Sequence, residues 1–549
     1  MSSHWWEQAV VYQVYVRSFA DADGDGVGDL EGLRRRLGHI ASLGADAIWL
    51  CPVYPSPQRD HGYDVADYFG IDPDYGDLAG FDRLVATARQ HGLRVLLDIV
   101  PNHCSDQHPW FRAALDAPPG SDERARFWFR DGPEGPPNNW PAVFGGSVWT
   151  PVGGDDPQWY LGTFTPHQPD FDHTHPDVDA MFAEALRFWF DRGVDGFRVD
   201  AVWPVGKDPA LPDVGPLAPG EFNAATRFRP EGHEVWRRWR KVLDGYMAEH
   251  HDRDVMMVAE AYAPRRPDLM AEYTRPDEFQ QCFAFDLLLS PWHGASMRRA
   301  IAEAFEHVRA QGSWPTFTLN NHDSQRIVTR LGHDEATRAE AWTGDNLRAP
   351  EGSVDLAAGT RRARAAAGLL LAMPGAVYLY QGEELGLPEV LDLPDEARQD
   401  PVFAGTGGRK KGRDGCRIPL PWTAAPGGSH GFSLAGELPA PPWLPQPGDW
   451  GRYAADRQET DGSSMLALYR RLVAARRSHL TTADAEDVDL VEDHADVVVL
   501  RRGVVLVACN TGRRPVDVAA AAGMTPLLST DGGSEGCVVP ADTTVWFTA

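Results

Sequence analysis

Short apolar runs rich in β-branched residues recur along the chain at 10–16, 47–51, 94–100, 196–202, 255–260, 281–288, 316–320 and 376–381. Helical patterns separate them. Continuous apolar strands alternating with amphipathic helices predict βα units on a parallel sheet buried on both faces. Eight such units close naturally into a (β/α)8 barrel, an α/β TIM-barrel fold of ~250 residues that tolerates insertions. An open, doubly wound sheet is the competing arrangement.

Two stretches break the rhythm. Residues 104–170 are rich in Pro, Gly, Trp and Asn with no clear helical period, and read as a small domain inserted after the third strand. A second Pro/Gly-rich excursion covers 386–453, followed by a helical pattern over 464–477. The apolar period then changes to two at 497–500, 504–508 and 543–547, with the first two runs joined at Arg501, Arg502 and Gly503. That change predicts an all-β C-terminal domain, whose strands carry no exposed aromatic row and suit a structural role. The expected division is barrel 1–103, inserted domain 104–170, barrel 171–479 and C-terminal domain 480–549.

Composition narrows the partners. With 52 Lys+Arg against 79 Asp+Glu the net charge is −27, so the basic footprint that a nucleic acid or anionic membrane requires is missing. An acidic substrate is repelled at long range, which favours a neutral small molecule. The uncharged run 365–380 is broken by Pro374 and Gly375 and falls short of the ~20 apolar residues of a membrane span. The first residues lack the basic start and apolar stretch of a signal peptide. Cys51, Cys104, Cys282, Cys416, Cys509 and Cys537 form no C-x-x-C pair. Scattered thiols suit a reducing compartment, and the expectation is a cytoplasmic protein.

Reactive groups of a barrel sit at the C-terminal ends of its strands. The third strand ends Asp98-Ile-Val-Pro-Asn-His103, the fourth Arg198-Val-Asp200 and the fifth at Glu260, and the seventh runs into Asn321-His-Asp323. Carboxylates, two His and an Arg thus converge from four strands on one mouth. Such a set suits glycoside cleavage, where a nucleophile and a proton donor flank an oxocarbenium-like transition state. Arg198, two residues before Asp200, shares its strand face and can keep that carboxylate ionised. Glu260 closes an apolar strand, so desolvation raises its pKa toward that of a general acid.

These segments, with Gly196-Phe-Arg-Val-Asp200, Gln168-Pro-Asp-Phe-Asp172, His61-Gly-Tyr-Asp64, Gly382-Glu-Glu-Leu-Gly386 and Arg413-Asp-Gly-Cys-Arg417, resemble glycoside hydrolase family 13, the α-amylase superfamily, in its α-glucosidase and oligo-1,6-glucosidase branch. The resemblance spans roughly residues 5–480. It implies Asp200 as nucleophile, Glu260 as acid/base and Asp323 as the carboxylate that holds the sugar hydroxyls. It places His103, His322 and Arg198 around the same glucose, and Tyr63 and Phe144 as an aromatic platform. Asp64 and Arg413 match the pair that closes the non-reducing end in exo-acting members. Ala201, where α-1,6 cleavers carry Val, implies a preference for α-1,4 linkages, and no organic cofactor is implied. The segment Trp203-Pro-Val-Gly-Lys-Asp-Pro209 departs from the branch pattern, at a place that shapes the leaving-group side.

The expected activity is a retaining, exo-acting α-glucosidase on short α-glucosides, an oligosaccharide substrate of the maltose type. Its alternatives are a transglucosidase or isomerase of the same family (trehalose- or isomaltulose-forming) or an oligo-1,6-glucosidase. A non-catalytic, transporter-associated homologue is remote, since such relatives lose the carboxylates retained here. Finally, Asp21, Asp23, Asp25, Val27 and Asp29 fall at positions 1, 3, 5, 7 and 9 of a Ca²⁺-type loop with Gly26 at 6. Gly32 replaces the Glu of a full EF-hand. The family branch carries a similar loop, which implies structural Ca²⁺, with Mg²⁺ as the other candidate.

Overall fold

A computed structural model describes residues 4–217, 221–333, 353–425, 428–434, 439–480, 488–533 and 535–549. Eight parallel strands close on themselves: β1 (Val10–Val14), β2 (Ala47–Leu50), β3 (Arg94–Ile99), β7 (Gly196–Val199), β8 (Met256–Ala259), β9 (Gln281–Ala284), β10 (Thr316–Thr318) and β11 (Val377–Tyr380), with β11 pairing back to β1. The Val10 and Val377 partnership completes the ring and excludes an open sheet. Except for Arg94, every barrel-strand residue is buried. Helices cover the outside, which is why these strands read as continuous apolar runs rather than alternating ones.

Several strands stop earlier than their apolar runs. The 281–288 run breaks after Ala284 and turns into the short helix Asp286–Leu289. The 316–320 run pairs only through Thr318. Apolarity continues past the last ladder bond because these residues enter the core from the loops that build the barrel mouth.

The segment after β3 holds a three-stranded antiparallel sheet of β4 (Phe129–Asp131), β5 (Trp149–Gly153) and β6 (Asp156–Leu161). It also contains the helix Pro109–Asp116, which the sequence pattern did not predict. Two turns are too short to display a period, but the signals are local. Pro109 opens the helix, and the Trp110 N–H donates to His108 Nδ1 at 3.2 Å.

At the C-terminal end, β12 (Val488–Val491), β13 (Val497–Arg502), β14 (Val505–Asn510), β15 (Thr525–Ser529) and β16 (Thr543–Thr548) form an antiparallel sheet in the order 12-13-14-16-15. Residues 481–487, at the expected start of this region, lie outside the described residues. Arg502 pairs with Val505, so the connecting turn is Gly503 and Val504 rather than 501–503. Gly503 sits at φ +56°, the backbone such a two-residue hairpin requires. Arg502 stays in the strand because its guanidinium donates to the carbonyls of Ala372, Met373 and Leu480.

The period-two pattern serves two cores. Val497, Val499, Leu506, Val545 and Phe547 pack among themselves, while Val498, Leu500, Val507 and Trp546 join the barrel core. The helix Leu356–Leu370 lies against the second face, where Trp546 Nε1 donates to the Gly368 carbonyl at 2.9 Å. Gly368 permits that approach, since a Cβ there would stand 2.8 Å from Thr530 Cγ2.

Candidate active site

Barrel register assembles the reactive groups. Asp98 and Arg198 are direct partners across β3 and β7, and Arg198 faces Val258 on β8. One guanidinium therefore reaches three carboxylates. Arg198 Nη1 donates to Asp98 Oδ1 at 2.9 Å and to Asp200 Oδ1 at 2.5 Å, and Nη2 lies 3.8 Å from Glu260 Oε2. The backbone N–H of Asp200 donates to the Ile99 carbonyl, and that of Glu260 to the Val199 carbonyl, so both acids are anchored by the neighbouring strand.

Between them Ala201 adopts φ +41°. Left-handed backbone costs an L-residue about 1–2 kcal/mol, least for a small unbranched side chain. The turn aims the Ala201 N–H at Glu260 Oε2, 2.9 Å away. Residue 201 thus holds the Glu260 carboxyl as well as flanking Asp200.

One positive charge cannot neutralise three buried carboxylates, and the protonation states separate accordingly. Burial pushes the Glu260 carboxyl up to about 8, against the pull of Arg198. Burial also raises Asp98, to about 7. Asp200 is raised as well, because burial outweighs its direct bond to Arg198. Arg198 still pulls Asp200 toward the ionised form, as the shared strand face predicts, but against that burial. Asp323 behaves oppositely. Burial alone would raise it, but His322, Arg413, Arg417 and Arg198 together drive it well below that range.

Asp323 Oδ1 accepts from Arg413 Nη1 and Arg417 Nη2, each at 2.9 Å. Arg413 also donates from Nη2 to Asp60 Oδ1 and from Nε to Asp400 Oδ2, both at 2.8 Å. Its guanidinium lies 4.9 Å from the Phe144 ring centroid. The expected pairing of Arg413 with Asp64 is corrected here. Asp64 turns away, accepting from the N–H groups of Arg59 and Asp60 and from the Ser56 hydroxyl. Asp60, four residues earlier in the same loop, takes the place at Arg413.

Asp200, Glu260, Asp323, Asp60 and Arg413 line a single cavity of about 330 Å³, together with Tyr63, His103, Phe144 and Ala201. Arg198 and His322 stand behind its wall. His322 Nε2 lies 2.6 Å from the Tyr63 hydroxyl, and its Nδ1 lies 2.7 Å from Gln13 Nε2. The Tyr63 hydroxyl also donates to Asp98 Oδ2 at 3.0 Å. The arrangement offers one carboxyl that holds its proton near neutrality, a second carboxylate beside it, and a polar end fixed by ion pairs. That is what acid-assisted displacement at a sugar carbon needs.

The family model of the α-amylase catalytic domain matches residues 13–485. The chain belongs to the α-amylase family of glycoside hydrolases. Within that family it is 38% identical over 521 residues to a protein named probable α-glucosidase in Rhizobium meliloti (strain 1021), covering 90% of this chain and 86% of the relative. It is 31% identical over 513 residues to an oligo-1,6-glucosidase of Parageobacillus thermoglucosidasius, covering 87% and 84%. Among solved structures, that of an α-glucosyl transfer enzyme superposes with a TM-score of 0.86 at 32% identity, covering 100% of both chains.

Away from this α-amylase-family cavity, the early acidic loop brings together three of its four expected carboxylates. Oxygens of Asp21, Asp23 and Asp29 lie within 4.8 Å of one another. Asp25 is not among them; its Oδ1 accepts from the Val27 N–H at 2.8 Å. Asp29 also caps the helix Leu30–Leu43, accepting from the Gly32 N–H at 2.7 Å. Burial, reinforced by Asp23 and Asp21, raises the Asp29 carboxyl. Three gathered carboxylates fit a hard cation.

The sequence reading missed Asp60, Asp98 and Asp400 as site groups and left Arg417 without a role. Asp98 and Arg417 lie inside quoted motifs. Asp60 and Asp400 become visible only through what Arg413 touches.

Proposed function

We propose that the chain is a retaining, exo-acting α-glucosidase that releases glucose from the non-reducing end of short α-glucosides. The observation that carries this reading is the linked Asp60, Arg413 and Asp323 group, which closes the cavity beside Asp200 and Glu260. A cavity closed by charged hydroxyl-binding groups suits one terminal sugar and leaves no passage for a chain running through.

In this reading Asp200 attacks the anomeric carbon while the proton of Glu260 passes to the leaving oxygen. The glycosidic bond breaks and a glucosyl ester forms. Glu260, now ionised, takes a proton from water as the water oxygen attacks the ester, which restores both groups. The rise of Glu260 to about 8 supports the proton-donor role. Ala201 supports a preference for α-1,4 linkages. The test is NMR of maltose and isomaltose digests. α-Glucose should appear first from maltose, with isomaltose cut more slowly; β-glucose first would end the retaining reading.

Glucosyl transfer is the second reading. Beyond the carboxylates the cavity wall mixes Trp203, Phe222, Phe285 and Leu288 with Glu221, Asn223 and Arg227, and Arg227 lies 4.1 Å from the Trp203 ring centroid. Such a wall of rings and polar groups can seat an acceptor alcohol, in keeping with the similarity to the α-glucosyl transfer enzyme. A new disaccharide in place of free glucose would decide for it.

Asp21, Asp23 and Asp29 would hold structural Ca²⁺, or Mg²⁺ in its place, and the cation would neutralise their mutual repulsion. A chelator should then lower Tm by a few degrees, as ligand linkage predicts, with kcat unchanged below the transition. No shift would remove the ion from the account. The unpaired thiols of all six cysteines support a reducing, cytoplasmic location. No helix among the described residues is long and apolar enough to cross a membrane.

A further inference from the structure

Lys207 is a buried cation that the proposed chemistry does not use. It lies in the departing segment after β7, and its side chain is fully enclosed. Its Nζ contacts Asp170 Oδ2 at 2.8 Å, Asn102 Oδ1 at 3.0 Å and the Pro204 carbonyl at 2.7 Å. An ammonium has three protons and no lone pair. The Asn102 atom facing it must therefore be the carbonyl oxygen, and the amide NH₂ is turned the other way. There it meets His103, with Asn102 Nδ2 3.2 Å from His103 Nδ1.

Two ring tautomers compete. With the proton on Nε2, Nδ1 accepts from Asn102 and Nε2 donates to the Tyr63 carbonyl, 3.2 Å away. With the proton on Nδ1, two N–H groups oppose each other at Asn102 and the Tyr63 carbonyl faces a lone pair. Only at Gln168 does that form fare better. The Gln168 NH₂, 3.1 Å from His103 Nε2, faces an N–H in the first tautomer and a lone pair in the second, and keeps Asp60 Oδ2 at 3.0 Å in either. Two contacts thus favour the first form against one. Turning the Asn102 amide to rescue the second tautomer would point its NH₂ at the ammonium. We infer that Lys207 is a positioning residue which, through the orientation of Asn102, fixes His103 as the neutral Nε2–H tautomer at the wall of the cavity.

The surroundings keep the ring neutral. Burial, with Lys207 contributing, lowers the His103 pKa against the pull of Asp170 and Asp200. His103 then has one donor of defined direction, held by the Tyr63 carbonyl, and turns a neutral ring toward Asp200. Its consequence for catalysis rests on the α-glucosidase reading, but the tautomer itself does not, so the two stand or fall separately.

The experiment is ¹⁵N NMR of histidine-labelled full-length protein, with the His103 signals assigned by their loss in His103→Gln. Between about pH 6 and 8, where an ordinary histidine titrates, Nδ1 should stay unprotonated and Nε2 protonated. A protonated Nδ1 in the wild type overturns the inference. Asn102→Asp keeps the shape and the contact with Lys207 but supplies an acceptor on both sides, so Nδ1 should gain a proton; an unchanged ring overturns the inference. Lys207→Met frees the Asn102 amide to turn. It should yield a tautomer mixture, with kcat down about tenfold, the scale of one misplaced hydrogen bond, and KM moved much less. A folded Lys207→Met protein that keeps the single Nε2–H form overturns the assignment to Lys207. Should that variant fail to fold, Asn102→Asp carries the test.

Discussion

The two ends of the cavity are built by different means. At the inner end Asp98, Asp200, Glu260 and Asp323 are tied to Arg198, Arg413 and Arg417, and the central four of these groups are set by strand register. At the outer end Trp203, Phe222, Phe285 and Leu288 come from segments beyond the strand ends, interleaved with Glu221, Asn223 and Arg227, whose guanidinium stacks on Trp203. The inner end defines protonation states and one sugar. The outer end defines the shape and polarity of the acceptor side, so it can change without touching the chemistry. Substitutions at the two ends should differ in kind as well as in size.

The largest effect belongs to Asp200 and Glu260, two of the three carboxyls that share Arg198. Asp200→Asn and Glu260→Gln should each lower kcat/KM on maltose by about a thousandfold or more, since each removes a nucleophile or a proton donor. An aryl glucoside with a good leaving group separates the roles. Its departing oxygen needs no proton, so Glu260→Gln should recover much of its first step there while Asp200→Asn recovers none. Equal losses on both substrates would erase the division of labour that environment is argued to impose.

Arg413 comes next. Arg413→Ala strands Asp60, Asp323 and Asp400 without their common partner, and breaking a buried ion pair costs about 3–5 kcal/mol. Both Tm and kcat/KM should fall, the latter by roughly a hundredfold. Arg413→Lys should restore little, because an ammonium cannot reproduce the fork that reaches three carboxylates. Near-normal exo-cleavage by Arg413→Ala would open the closed end on which the terminal-sugar reading depends.

This contrast also explains what the sequence revealed. Alternation of apolar strands with helices specified the barrel, because burial on both faces leaves a run that loops do not imitate. Asp200, Glu260 and Asp323 were legible because strand ends place residues on one mouth whatever the loops do. Asp60 was not. It and Asp64 stand four apart in one irregular loop, where no periodicity says which carboxylate faces inward, and only the reach of Arg413 decides. The helix Pro109–Asp116 was hidden for a related reason, since two turns display a cap but no period. The turn at Gly503 was misplaced because Arg502, polar in the sequence, is buried by carbonyl groups from another part of the chain.

Activity against pH probes the inner end alone. Glu260 must carry its proton to assist the leaving group, so kcat/KM should hold to about pH 8 and then fall about tenfold per unit as that proton is lost. Stability follows the same sign. A carboxyl whose folded-state pKa is raised is favoured while neutral, so its contribution is lost as pH rises through about 8. Asp323, lowered in the folded state, contributes when ionised, and that contribution is lost at the acid end as pH falls through its folded-state pKa. Trp203→Ala should leave the alkaline limb where it is. A limb that moves with Trp203 would mean that the two ends are not independent.

The smallest effect is expected at the outer wall. Trp203→Ala removes the ring that Arg227 covers at 4.1 Å, an exposed-to-desolvated cation–π contact of about 0.5–2 kcal/mol, and admits water beside the glucosyl ester. Formation of the ester on an aryl glucoside should change only a few-fold, because Asp200, Glu260 and Arg198 are untouched. The partition of that ester should change more, toward free glucose and away from transfer to an added alcohol. Product ratios at fixed donor and rising acceptor concentration measure this directly. If Trp203→Ala slows ester formation as much as Arg413→Ala does, the outer wall takes part in the chemistry, and the cavity must be treated as one unit.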